Sequence, residues 1–299
     1  MANILDYLDW RGDLTLSERA FNEVDNLILA EICYLDLSGF APAGFETQQV
    51  TLREAWDAYF AAHPTTDMGV LVPDQIPVLV QKAAQTARFG SLRLLGYVNR
   101  IDEETQTQFS AMTMLLPDGS AYVAFRGTDD TIVGWKEDFN LAFLPVVPAQ
   151  KMAAEYLSAA AAALPSHPLR VGGHSKGGNL AVYSAVFCGE AVQNQLMRVY
   201  NNDGPGFAWD ISETPGHKRI ASRIHTILPQ TSVVGMLMEH EKRYQVVHST
   251  YDGLYQHDGF SWQVLGTQFV HLDDFSREGK LVDETLSSWA DSLNTQQRE

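Results

Sequence analysis

The chain is 299 residues long and carries 21 basic against 37 acidic side chains, a formal net charge of −16, which opposes binding to nucleic acid or to anionic membrane surfaces. Hydrophobic residues at 45% and charged residues at 19% are globular values, enough for a large core in one α/β domain with insertions. The cysteines, Cys33 and Cys188, both in apolar contexts, exclude a disulfide framework and a zinc pattern, and the lack of a membrane-length apolar run or a signal-type N-terminus leads to the expectation of a cytoplasmic protein without a transmembrane segment.

Residues 1–40 are acidic and amphipathic. Leu5, Leu8, Phe21, Val24, Leu27, Ile28 and Ile32 recur at roughly helical spacing among Asp6, Asp9, Glu23 and Asp25, which predicts a packing helix and its lead-in. A Gly/Pro loop over 39–44 precedes a helix over 52–62, stopped by His63-Pro64, and another over 76–88. Residues 1–90 therefore read as a mainly helical N-terminal extension of a single domain spanning 1–299. Three extended runs follow, over 92–101, 108–116 and 121–126, with the short polar connections Asp102-Glu103-Glu104-Thr105 and Pro117-Asp118-Gly119; such connections make an antiparallel meander. After Arg126 the chain passes Gly127-Thr128-Asp129-Asp130, Trp135 and Asp138 and reaches an Ala-rich helix over 152–164. A strand over 169–171, a helix over 179–187 and strands over 197–201 and 223–228 then alternate as in a parallel sheet with helices on both faces. Extended runs over 244–249 and 260–265 and a terminal helix over 283–293 complete an α/β fold.

Between the strand at 169 and the helix at 179 lies Gly173-His174-Ser175-Lys176-Gly177, a G-x-S-x-G pattern in strand-turn-helix context. A serine on so tight a turn has strained backbone angles, and side chains two residues either side of it would collide, hence the glycines. A serine hydroxyl is a poor nucleophile and needs a general base and a group that orients the base. His217, His225, His240, His248, His257 and His271 all follow Ser175. His257 stands in a loop that opens into an aromatic strand, whereas His248 lies inside a strand, where half of the positions point into core or solvent. Between Ser175 and His257 the acids are Glu190, Asp203, Asp210, Glu213, Glu239, Glu241 and Asp252. Only Asp203 directly follows an apolar strand, before the sharp turn Gly204-Pro205-Gly206 that would hold its carboxylate at the sheet edge; the competing account is a turn aspartate bonded to its own backbone, and Asp252, which resembles an Asp-Gly turn residue, is the alternative acid. An oxyanion hole needs two donors. The Lys176 amide and the Thr128 amide fit, with the Thr128 hydroxyl available for a further bond. The side chains of His174 and Lys176 read as structural or rim groups, and Trp135 and Asp138 as braces of the loop after Thr128.

Taken together, Phe125-Arg126-Gly127-Thr128 with Trp135 and Asp138, the Gly-His-Ser-Lys-Gly elbow, and His257-x-Gly259 with Trp262 resemble the class 3 lipases of the α/β-hydrolase superfamily. The chain is also similar to a bacterial group of lipase-like proteins of unassigned function, including the Asp-Gly-Pro-Gly turn and Gln256-His257-Asp258; the resemblance spans about residues 90–265. It implies an α/β-hydrolase fold and a serine hydrolase acting on carboxylic esters of short to medium acyl chains, with Ser175 as nucleophile, His257 as base, Asp203 as orienting acid, Thr128 and Lys176 as oxyanion hole, and no metal or cofactor. The substrate implied is a small-molecule ester or lipid. One departure stands out: class 3 lipases carry the acid in a D-x-V-P-type segment after the next strand, where this chain has Ser232 in Leu228-Pro229-Gln230-Thr231-Ser232-Val233-Val234-Gly235. Either the acid has moved one strand earlier, to Asp203, or the site works as a weakened dyad. Residues 207–241, with Trp209, Ile211, Val233, Val234, Met236, Leu237 and Met238, read as a lid or acyl-pocket segment, and burial against the sheet accounts for them equally well. The alternatives are a non-catalytic hydrolase-like module that binds a partner or lipid, and a thioesterase or peptidase using the same acyl-enzyme.

Overall fold

A computed structural model describes residues 1–45, 49–65, 68–69, 72–129 and 131–281; the helix expected over 283–293 lies outside them. The N-terminal helical pattern resolves into two helices, α1 (Ile4–Arg11) and α2 (Glu23–Ile32), each opened by an Asn-x-x-Asp capping box, Asn3 with Asp6 and Asn22 with Asp25. Next come β1 (Val50–Thr51), α3 (Leu52–Ala62), capped by Thr51 and Glu54, and α4 (Ile76–Gln85). The last ends before residue 88 because Thr86 is extended, with its hydroxyl bonded to the Ala83 carbonyl at 2.7 Å and to the Phe89 amide at 3.0 Å.

Strands β2 (Arg93–Asp102), β3 (Thr107–Leu115) and β4 (Ala121–Phe125) form the antiparallel meander. The stretch after Thr128, expected as loop, contains helix α5 (Ile132–Phe143), capped by the Thr131 hydroxyl on the Gly134 amide. Then follow α6 (Pro148–Ala163), β5 (Leu169–His174), α7 (Lys176–Phe187), α8 (Glu190–Gln193), β6 (Leu196–Asn202), α9 (Pro215–Ile220), β7 (Ile224–Pro229) and β8 (Tyr244–Val247). The run over 260–265 is not one strand. A 3-10 turn, Gly259–Ser261, precedes the short β9 (Val264–Leu265), which pairs with β10 (Gln268–Phe269), and β11 (His271–Leu272) returns to β8.

Among the described residues the main sheet has nine strands in the order β1-β2-β3-β4-β5-β6-β7-β8-β11, antiparallel as far as β4 and parallel from β4 to β8. This is the α/β-hydrolase class of sheet, a parallel centre beside an antiparallel meander. Strand alternation splits the core into two faces. Tyr122 and Ala124 join Leu27, Ile28, Leu52 and Leu79 of the N-terminal helices on one side; Val123 and Phe125 join Ala153, Leu157 and Leu180 of α6 and α7 on the other. The N-terminal helices are thus one wall of the sheet, and α2 lies directly against β5, the strand that carries the elbow.

Candidate active site

The elbow is set by steric contact. A Cβ on Gly173 would fall 2.3 Å from the Gly177 carbonyl carbon, and one on Gly177 would fall 2.1 Å from the Phe125 carbonyl oxygen. Between them Ser175 takes φ 58° and ψ −135°, a conformation that costs on the order of 1–3 kcal/mol and is held only by its surroundings. The Ser175 amide is fixed to the Asn202 carbonyl at 3.0 Å, while its hydroxyl has no hydrogen-bond partner among the described residues.

His257 ends a 3-10 turn, Gly253–His257, and its Nδ1 lies 2.6 Å from Asp203 Oδ2. Asp203 follows β6 with φ 50° and is fully buried. Its other oxygen accepts from Ser232 Oγ and, at 3.2 Å, from the Gly235 amide. Ser232 stands where the class 3 resemblance would put the acid, and here its hydroxyl donates to the Asp203 carboxylate, which follows the preceding strand. A carboxylate only accepts, so the proton of this contact belongs to Nδ1, which leaves Nε2 of a neutral His257 ring free to accept one. The other candidates are elsewhere: Asp252 is exposed, and Glu241 is paired with His217 at 2.8 Å. The His257 turn is clamped by buried Trp262, whose indole donates to the Gln256 carbonyl at 2.9 Å, and by the Gln256 side chain, which accepts the Thr231 amide at 2.8 Å.

Of the two readings of the Lys176 side chain, structural or rim, the structure gives the first: it is 1% exposed, with Nζ 2.9 Å from Glu137 Oε2 and 2.6 Å from Gln108 Oε1. It ties the elbow to α5 and β3. The Thr128 hydroxyl, expected to be available to an oxyanion, instead donates to Asp138 at 2.6 Å; Asp138 braces Thr128 as expected, whereas Trp135 is 57% exposed on α5. The Lys176 amide, by contrast, is at the first turn of α7, where N–H groups have no intrahelical acceptor and the helix dipole favours negative charge. His174 is buried beneath His257, with its Nε2 2.7 Å from the His257 carbonyl oxygen and the two rings 4.6 Å apart.

Two residues of this neighbourhood escaped the sequence reading, Glu31 and Tyr34. The Tyr34 hydroxyl lies where a Cβ on Gly127 would be, 2.1 Å from that position, and Ser175 Cβ is 3.1 Å from the same point, so Gly127 is required by close approach. The signal for Glu31 was a lone carboxylate in the apolar run Leu27-Ile28-Leu29-Ala30-Glu31-Ile32-Cys33. Among the described residues no cluster of three or more His, Cys, Asp or Glu side chains is placed to hold a metal ion, and no helix is long and apolar enough to cross a membrane.

The buried Lys176–Glu137 pair yields a stability prediction. Lys176→Met alone leaves an uncompensated buried carboxylate and is expected to cost about 3–5 kcal/mol in denaturant unfolding. Adding Glu137→Gln to Lys176→Met should recover part of that loss; a double variant as unstable as the sum of the singles would show that the two do not interact.

A protein-family model described as Mbeg1-like matches residues 83–299. A search of curated proteins found no match. Among solved structures the chain is similar to a fungal lipase in an inhibitor complex (14% identity, 83% of this chain and 80% of that one, TM-score 0.43) and to lipase II from Rhizopus niveus (14%, 74% and 81%, TM-score 0.41). It is also similar to the Rhizomucor miehei lipase propeptide complex (14%, 78% and 77%, TM-score 0.40).

Proposed function

The chain belongs to the Mbeg1-like family, and for this member we propose a serine hydrolase that cleaves carboxylic esters through an acyl-enzyme on Ser175. The observation that carries the reading is the 2.6 Å contact between His257 Nδ1 and the fully buried carboxylate of Asp203, on the same sheet edge as a serine in a strained elbow. In the proposed reaction Ser175 Oγ attacks the ester carbonyl carbon while His257 Nε2 takes its proton, and the carbonyl π electrons move to oxygen. The amides of Lys176 and Thr128 hold that oxyanion. Collapse breaks the ester C–O bond, His257 returns the proton to the departing alkoxide, and water repeats the sequence on the acyl-enzyme to release the acid. Asp203 holds the ring in the Nδ1–H tautomer and stabilises the imidazolium.

The outer face of α5 supports an acyl substrate. Ile132, Trp135 and Phe139, spaced for one helix face, are 74%, 57% and 69% exposed, and α5 is joined to the site through Asp138 on Thr128 and Glu137 on Lys176. Leu254 and Tyr255 of the His257 turn add to the exposed apolar surface. Within 207–241, Ile211 and Met236 are buried, Val233, Val234, Leu237 and Met238 are half-buried and Trp209 is 36% exposed; the acyl chain is assigned to α5, whose apolar side chains are the more exposed. The test is hydrolysis of p-nitrophenyl esters of increasing chain length, with the matching thioesters alongside. Short to medium acyl esters should turn over, and Phe139→Ser should raise KM roughly 10-fold for the longer chains while leaving the acetate unchanged; an equal effect on acetate would contradict an acyl contact at α5.

A further inference from the structure

Glu31 is a carboxyl group that the proposed reaction does not use. It is 1% exposed, and among the described residues neither of its oxygens has a hydrogen-bond partner. Its Oε1 lies 3.5 Å from His174 Nδ1 and so near Gly259 that a Cβ there would sit 2.8 Å from it. The titratable groups facing it are His174 from β5, Asp258 from the turn after His257, and Tyr34, whose hydroxyl is 3.3 Å from His174 Nδ1 and 3.4 Å from the His174 carbonyl oxygen. The His257 carbonyl can only accept, so His174 Nε2, 2.7 Å from it, carries a proton. In the neutral ring Nδ1 is then an acceptor, with the Glu31 carboxyl and the Tyr34 hydroxyl both facing it. An ionised Glu31 would face that lone pair with no donor to offset its desolvation, whereas a protonated one has a proton to offer it.

We propose that Glu31 is a positioning residue for His257: a neutral carboxylic acid whose proton is directed at His174 Nδ1, fixing the His174 tautomer that holds the His257 backbone while Asp203 holds its ring. This rests on the serine hydrolase reading for its catalytic consequence, though not for the location of the proton. The electrostatics agree. Burial, with the neighbouring Asp258 charge second, raises the Glu31 carboxyl well above its usual range, and burial, with His257 second, pushes His174 down to about 3. Tyr34 is left to donate to the His174 carbonyl. Glu31 lies on α2, outside the segment matched by the family model; under this proposal the N-terminal helices take part in aligning the site.

The experiment compares the full-length protein with Glu31→Gln and Glu31→Leu. If folded Glu31 is protonated, the native state holds a proton that the unfolded chain releases, and stability falls as pH rises above the ordinary carboxylate range. Glu31→Gln removes that slope while keeping a donor. Its Tm should therefore match or exceed the parent's, with a gap that widens between about pH 5 and about pH 8, and it should lack the infrared band of a buried protonated carboxyl. On a p-nitrophenyl ester Glu31→Gln should keep near-parental kcat. Glu31→Leu should lower kcat roughly 10- to 100-fold with KM unchanged, the cost of misplacing the base. A gap of the opposite sign, no carboxyl band in the parent, or a folded Glu31→Leu with parental kcat would each overturn the proposal. Should Glu31→Leu not fold, the slope and band of Glu31→Gln decide it. Lack of turnover in the parent itself would instead count against the hydrolase reading, with the slope and band still reporting the proton.

Discussion

His257→Ala is expected to lower kcat on a p-nitrophenyl ester by about 10⁶-fold with little change in KM, since loss of the base removes the only route by which the serine proton leaves as the Oγ–carbon bond forms. The fold should survive. His257 is part-exposed, and the backbone carbonyl that receives His174 at 2.7 Å is still present in the alanine variant. His248→Ala is the matched control, because His248 was the alternative base and its Nδ1 is buried without a hydrogen-bond partner among the described residues. Parental turnover in His257→Ala, with loss in His248→Ala, would move the base and dismantle the assigned site.

Asp203→Asn is expected to lower turnover by about 10⁴-fold, and the surrounding hydrogen bonds say why. The Ser232 hydroxyl and the Gly235 amide both donate to Oδ1, so an asparagine must keep its oxygen there and turn its NH₂ toward His257. A donor at Oδ2's position, 2.6 Å from Nδ1, makes Nδ1 the acceptor and puts the ring proton on Nε2, where it can no longer accept one from Ser175. Folding should be intact, because every donor to Oδ1 is still satisfied. Ser232→Ala should have a much smaller effect, since Gly235 and His257 remain on the carboxylate. Turnover in Asp203→Asn within a few-fold of the parent would refute Asp203 as the orienting acid and leave the weakened-dyad alternative.

The elbow and its partners were legible because their signals are local. A short apolar strand, a glycine on each side of Ser175 and an apolar helix stand consecutively in the chain, and Asp203 announces itself as the residue between an apolar strand and a Gly-Pro-Gly turn. Helix α5 was not legible for a physical reason: Glu137 shares its buried face with Val133 and Leu141 while Ile132, Trp135 and Phe139 are outward, so its apolar positions form no single stripe. The burial of Lys176 was hidden by distance, since Glu137 and Gln108 are 39 and 68 residues away along the chain. The Thr128 hydroxyl was misread because its acceptor, Asp138, is presented by a helix that the sequence did not reveal. Glu31 was passed over as part of a packing helix, and it does sit in that helix's buried face; its bearing on the site arises only when α2 docks on β5 and meets His174.

The most direct test of Ser175 as an activated nucleophile is covalent labelling with a fluorophosphonate probe, the adduct located by mass spectrometry in the intact protein and in a folded Ser175→Ala variant. A serine hydrolase should give a single adduct on Ser175 and none in the variant. A folded protein that takes up no label, with or without detergent present, would contradict the catalytic reading and leave a hydrolase-like binding module.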